Sequence, residues 1–121
     1  MSLSVDVWVV DETEPDKIRV LAVPSDASDL AGFETTRTKL WGSPVVRSLG
    51  VSLLPRLADG DLWVSNDQVE AFAAECALVL ANRTAIASAS GYGEEYIESR
   101  LANMVDAARR ALDAHGGVVV W

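Results

Sequence analysis

The apolar positions of this chain follow two rhythms, separated by a stretch with none. Ser4 to Val10 is rich in valine around Trp8 and reads as a strand. Asp11-Glu12-Thr13-Glu14-Pro15-Asp16-Lys17 is a polar turn, and Ile18 to Val23 reads as a second strand ended by Pro24. Together they predict an antiparallel hairpin with a long acidic tip. Residues 25–57 carry no clear period. Ser25 or Ser28 suits the cap of a short helical turn, and Thr35 to Trp41 fits helix or strand. Gly42-Ser43-Pro44 punctuates the chain, and Val51 to Leu54 is a short apolar run before Pro55. Asp59-Gly60 is a turn, and Leu62-Trp63-Val64 is a short strand.

The second half is helical in period. Ser65-Asn66-Asp67-Gln68 has the form of a capping box, in which Ser and Gln satisfy the backbone N–H groups orphaned at a helix start. The helix that follows puts Val69, Phe72, Ala73, Cys76, Val79 and Leu80 on one face. Ala71, Ala74, Leu78 and Ala81 make the rest apolar too, which predicts deep burial. Its end is set either near Asn82 or near Ala89, with Gly91 as the break. A second long helix starts near Gly93, with Glu94, Glu95 and Glu98 where the helix dipole favours acids. Its apolar stripe is Ile97, Leu101, Met104, Val105, Ala108 and Leu112. Gly116 sits where a helix C-cap wants a positive φ. Val118-Val119-Val120-Trp121 is a strand without alternation, as expected in mid-sheet or under cover on both faces.

These elements predict an α+β fold over residues 1–121, one domain by length. A mostly antiparallel sheet of about four to five strands carries two long C-terminal helices on one face, and its edge strands leave room for a homodimer. Half the residues are hydrophobic, enough to build a core without disulfides or metal. The single cysteine excludes an internal disulfide and fits a reducing cytoplasm. The N-terminus lacks the basic region of a signal peptide. The longest apolar run, Ala71 to Ala81, is interrupted by Glu75 and is shorter than the roughly 20 residues a membrane span needs.

Charge changes the picture more than composition does. Net charge is −8, with 15 of the 18 acids in residues 1–32 and 58–99, while residues 33–57 hold Arg37, Lys39, Arg47 and Arg56 against one acid, Glu34. Nucleic acid and anionic membranes reward basic surfaces, so neither is expected as a partner. An acidic face suits a basic protein partner instead.

Candidate chemistry is sparse, and the sequence predicts no catalytic residue, no metal site and no cofactor. His115 lies in a last helical turn, where the dipole favours a cation and where nothing in sequence activates it. Cys76 belongs to an apolar stripe, where a thiol is poorly ionised and inert. Gly91-Tyr92-Gly93 precedes a helix but is followed by Glu94 and Glu95, which repel a phosphate. Asp11, Glu12, Glu14 and Asp16 lack the glycine and late glutamate of a calcium loop. Of four tryptophans, Trp8, Trp63 and Trp121 fall on predicted strands and are expected in the core. Trp41 falls in the basic, unpatterned segment and is the candidate exposed anchor.

Two functions remain in view. One is a non-catalytic protein-binding domain that neutralises a basic partner through Asp11, Glu12, Glu14 and Asp16, through Trp41, or through Glu94, Glu95 and Glu98. In size and charge alone, with no motif behind it, the chain resembles bacterial immunity and antitoxin-like proteins that block a basic toxin. The other is a small-ligand domain or modest enzyme, with a pocket between sheet and helices that uses residues such as His115, Tyr92 and Glu95.

Overall fold

A computed structural model describes residues 2–121 as a five-stranded antiparallel sheet with helices, an α+β fold. The strands are β1 (Ser2–Val10), β2 (Ile18–Val20), β3 (Leu30–Phe33), β4 (Leu62–Val64) and β5 (Gly117–Val120). The helices are α1 (Pro44–Arg47), α2 (Val69–Ala81), α3 (Arg83–Ser90) and α4 (Glu94–Asp113).

The hairpin forms, with Trp8 opposite Val20 and Val10 opposite Ile18. β1 is long enough to take two strands on one side. β2 pairs with its C-terminal half and β3 with its N-terminal half, Leu3 opposite Gly32. Between them residues 24–28 leave the sheet as an excursion, with Ser28 Oγ accepting from the Leu30 N–H (3.3 Å) rather than capping a helix. On its other side β1 pairs with β5, and β5 with β4. All of Gly117–Val120 is buried, as a strand apolar on both faces requires.

α4 lies across one face of the sheet against β1, β3 and β5, and α2 packs along α4. The face α4 buries is Ile97, Leu101, Met104, Ala107, Ala108 and Ala111. The expected stripe therefore shifts. Val105 and Leu112 are exposed, and the small Ala107 and Ala111 replace them, letting the helix sit close on the sheet.

α2 is not deeply buried. Only Val69, Phe72, Cys76 and Val79 are inside, while Ala71, Ala74, Leu78 and Ala81 face solvent. Alanine carries little apolar surface, so exposing three of them costs little. Glu75, the residue that interrupts the apolar run, fixes the helix in place. Its carboxylate accepts from the N–H groups of Ser52 (3.0 Å), Leu53 (2.9 Å) and Leu54 (3.1 Å), orphan donors at the start of the 3-10 turn Leu54–Ala58. The chain breaks at Asn82 and again at Gly91, so both candidate ends of the predicted helix are used, one by α2 and one by α3.

The positive φ after α4 falls on His115 (φ 55°), not on Gly116. Gly116 N–H bonds to the Ala111 carbonyl (2.8 Å) and His115 N–H to that of Leu112 (3.2 Å), the pair of bonds that closes a Schellman motif. Gly116 is instead required by close packing, because a Cβ there would overlap the Trp8 carbonyl oxygen. A left-handed non-glycine residue costs about 1–2 kcal/mol, and glycine returns part of that as chain entropy. His115→Gly should therefore stabilise the protein by about 0.5–1 kcal/mol, read as a higher urea midpoint with unchanged m. An unchanged or lower midpoint would show that the His115 side chain contributes contacts that offset its strain.

Candidate functional site

The helices cover one face of the sheet and leave the other open. Register places Asp6, Val119 and Trp63 side by side across β1, β5 and β4, and Trp8 beside Gly117. Trp121 extends β5 by pairing with Ser4 in both directions (2.9 and 3.0 Å). These residues belong to the face opposite the one formed by Val5, Val7, Val118 and Val120, which lies in the core.

Three indoles meet on this open face. The Trp8 and Trp63 ring centroids are 6.3 Å apart, and those of Trp63 and Trp121 are 5.5 Å apart, edge to face. Asp6 closes the fourth side, its Oδ2 accepting from Trp121 Nε1 at 2.8 Å. Val119, at the centre, is fully buried yet lies outside the main core cluster, so the surrounding rings cover it. The Trp8 indole sits against Gly117, where a Cβ would collide with it, and its Nε1 donates to the Val118 carbonyl (3.2 Å).

The outer surface of this ring is accessible: Trp63 is 43% exposed and Trp121 38%. The same face continues along the hairpin through Val20, Ile18 and Val10, the last 53% exposed. Contiguous exposed apolar surface of this kind marks interaction sites. The hairpin then runs directly into the acidic turn. There Asp11 accepts from the Thr13 hydroxyl (2.8 Å) and N–H (2.9 Å), which holds its carboxyl below the usual range, and Glu14 pairs with Lys17 (2.7 Å). Glu12 and Asp16 are exposed and have no ion-pair partner among the described residues.

The other expected site residues are dispersed. Trp41 is fully buried and cannot anchor an interface from the surface. It sits in a single π-type turn, Arg37–Trp41, and its Nε1 donates to the Ala31 carbonyl at 3.0 Å. The expectation for the tryptophans thus reverses: the one in the unpatterned segment is core, and two of the three strand tryptophans are well exposed. Glu94 and Glu98 converge on Arg83, at 3.9 and 2.7 Å, and Glu94 also accepts from Thr84 (2.8 Å). This cluster sits at the start of α4, whereas the hairpin borders its end, where Glu12 and His115 line one cleft. Twenty helical residues span about 30 Å, so the two acidic clusters do not form one face.

The same distance separates His115 from Tyr92 and Glu95, which therefore do not share a pocket. Tyr92 stacks on Tyr96 (5.4 Å), Tyr96 on Phe33 (5.9 Å), and Arg100 lies over the Tyr96 ring (4.4 Å), an arrangement that packs β3 against α4. Burial pushes the Cys76 thiol well above its ordinary pKa, and the neighbouring Glu75 charge adds to the effect, so Cys76 is no nucleophile.

Several clefts of about 310–420 Å³ indent the surface. One of about 390 Å³ lies between residues 24–28 and α4 and carries Asp26, Asp106, Arg109 and Arg110. Within it a hydrogen bond from Arg109 (2.7 Å), then one from Arg110 (3.0 Å), hold the Asp106 carboxyl below its usual range, while Arg110 Nη2 is buried without a hydrogen-bond partner. Arg37 is likewise spent on structure, donating to Glu34, Asp61 and the Gly60 carbonyl. Burial opposes its charge, but the Glu34 and Asp61 hydrogen bonds prevail and raise its pKa. Among the described residues no group of three His, Cys, Asp or Glu side chains is placed to hold a metal ion, and no helix is long and apolar enough to cross a membrane.

What sequence reasoning missed is the ring itself. The only signal for it was the parity of Asp6 with Trp8, together with two strands each carrying a tryptophan. Without the register of β4 and β5 that parity points nowhere. No family model matches this chain, and neither the curated proteins nor the solved structures contain a match to it.

Proposed function

We propose that this protein is a non-catalytic binding domain that captures a basic protein partner on the open face of its sheet. The observation that supports this is the continuity of two surfaces. An exposed apolar face containing Trp63 and Trp121 runs along one hairpin into Asp11, Glu12, Glu14 and Asp16. Tryptophan is the residue type most enriched among binding hot spots, and rim carboxylates steer a cationic partner into place. Neutralising a basic toxin in the manner of small immunity proteins is one activity such a surface would serve.

A second copy of this chain is a poorer occupant of the same face, because each copy carries −8 and the acids rim the contact. Pairing through the sheet edges is limited as well. β2 and β4 offer three residues each and β3 four, and Lys17 and Arg19 guard β2. The acids at the start of α4 are a separate and weaker candidate, since Arg83 neutralises part of their charge.

The test compares proteins retained from native-source lysate by the wild type, by Trp63→Ala and by Glu12→Lys/Asp16→Lys. A basic protein retained by the wild type and lost with either variant is expected. Its association rate with the charge-reversed variant should fall about tenfold at low salt and little at high salt. Identical retention by all three proteins, or binding indifferent to salt, would remove the proposal.

A further inference from the structure

We infer that the ring around Val119 is a seat for an arginine side chain of the partner, stacked on one of the two exposed indoles, Trp63 or Trp121, with the other beside it and Asp6 as its counter-charge. This rests on the binding function proposed above and adds the chemistry of the contact. The open face carries one carboxylate among its indoles, Asp6, which register holds on the same face as Trp8 and Trp63. Trp121 Nε1 engages one of its oxygens, Oδ2 at 2.8 Å, which leaves Oδ1 for a donor from outside.

Trp63 and Trp121 pack edge to face at 5.5 Å, Trp8 and Trp63 meet at a tilt at 6.3 Å, and Val119 beside them is fully buried. The surface offered to a ligand here is that of the exposed Trp63 and Trp121 rings. A guanidinium suits it well, since it is planar, weakly hydrated and able to stack on an indole while donating in its own plane to a carboxylate. A lysine ammonium keeps its hydration and gains less from the same surface. Net charge of −8 and the acidic hairpin tip favour a cationic ligand at long range, and Asp6 supplies the local match.

The experiment titrates isotope-labelled protein with a hexa-arginine peptide and separately with a hexa-lysine peptide, following the indole N–H signals by NMR. Trp41 is buried, so its signal serves as an internal reference for the fold. The arginine peptide is expected to move the Trp63 and Trp121 signals and to bind several-fold tighter than the lysine peptide, leaving Trp41 in place. Asp6→Asn keeps an acceptor for Trp121 Nε1 and removes the charge, and should weaken arginine binding about tenfold while bringing the two peptides level. Trp63→Ala, a change at an exposed position, should weaken arginine binding by a similar factor.

Two results would overturn the inference, and they differ in what else they remove. Equal affinities for the two peptides, with shifts confined to residues 11–17 and insensitivity to Asp6→Asn and Trp63→Ala, would mean general polycation attraction; the arginine seat then falls and the basic-partner function stands. Absence of binding by either peptide at low salt would remove both.

Discussion

Replacing Trp41 with alanine is expected to lower folding stability by about 4–5 kcal/mol, the upper end for loss of a buried aromatic. Trp41 is fully enclosed beside Leu40, and its indole N–H is the partner of the buried Ala31 carbonyl in β3 (3.0 Å). The substitution opens a cavity and leaves that carbonyl without its donor, two costs that add. Domains of this size are stable by about 5–15 kcal/mol, so the variant should lie near its unfolding midpoint at modest urea. Trp41→Phe separates the terms. It refills much of the volume while still removing the donor, and should cost about 1–3 kcal/mol. If Trp41→Ala loses less than about 1 kcal/mol, the packing described for residues 37–41 is wrong.

Adding one methyl group at Gly117 should be almost as damaging. Gly117 lies in mid-sheet between β1 and β4, and a Cβ there would collide with the Val64 carbonyl oxygen and with the Trp8 indole. The backbone carbonyl cannot give way without disturbing the β4–β5 pairing, and the indole can do so only by leaving its place, so Gly117→Ala should cost about 3 kcal/mol or more. Its effect should also reach the open face. Trp8 must lift from the strand, and its contact with Trp63 at 6.3 Å should be lost. Denaturant midpoints report the first effect and the Trp8 and Trp63 indole N–H shifts the second. A variant with wild-type stability and unshifted indole signals would show that Trp8 does not lie over Gly117.

The sequence by itself determined the elements whose period or punctuation is local. Val-rich β1, the hairpin turn, the helices from 69 and from 94, and the closing strand all stand where the pattern predicts them, because a hydrophobic repeat of about two or 3.6 residues is imposed by backbone geometry alone. Gln68 Oε1 reaches back to the Ser65 N–H (3.4 Å), as the spacing of those two residues predicts. The acidic tip was legible for the same reason, since its charges are consecutive in the chain.

Residues 25–57 were not legible, because they are held by side chains meeting distant carbonyls and amides rather than by a repeat. Arg37 reaches the Gly60 carbonyl, Arg47 those of Gly42 and Pro55, and Glu75 the amides of residues 52–54. Such bonds leave no periodic trace. α2 shows the same limit from the other side: a helix apolar all round does not say which stripe is inside, and only Glu75 and the packing on α4 chose Phe72 and Cys76 over Ala74 and Leu78. The open face was decided by strand pairing. A shift of one residue in the register of β4 or β5 would turn Trp63 or Val119 into the core, because side chains alternate with period two. Whether four tryptophans make a core or a binding surface is therefore a property of the sheet, not of the residues that compose it.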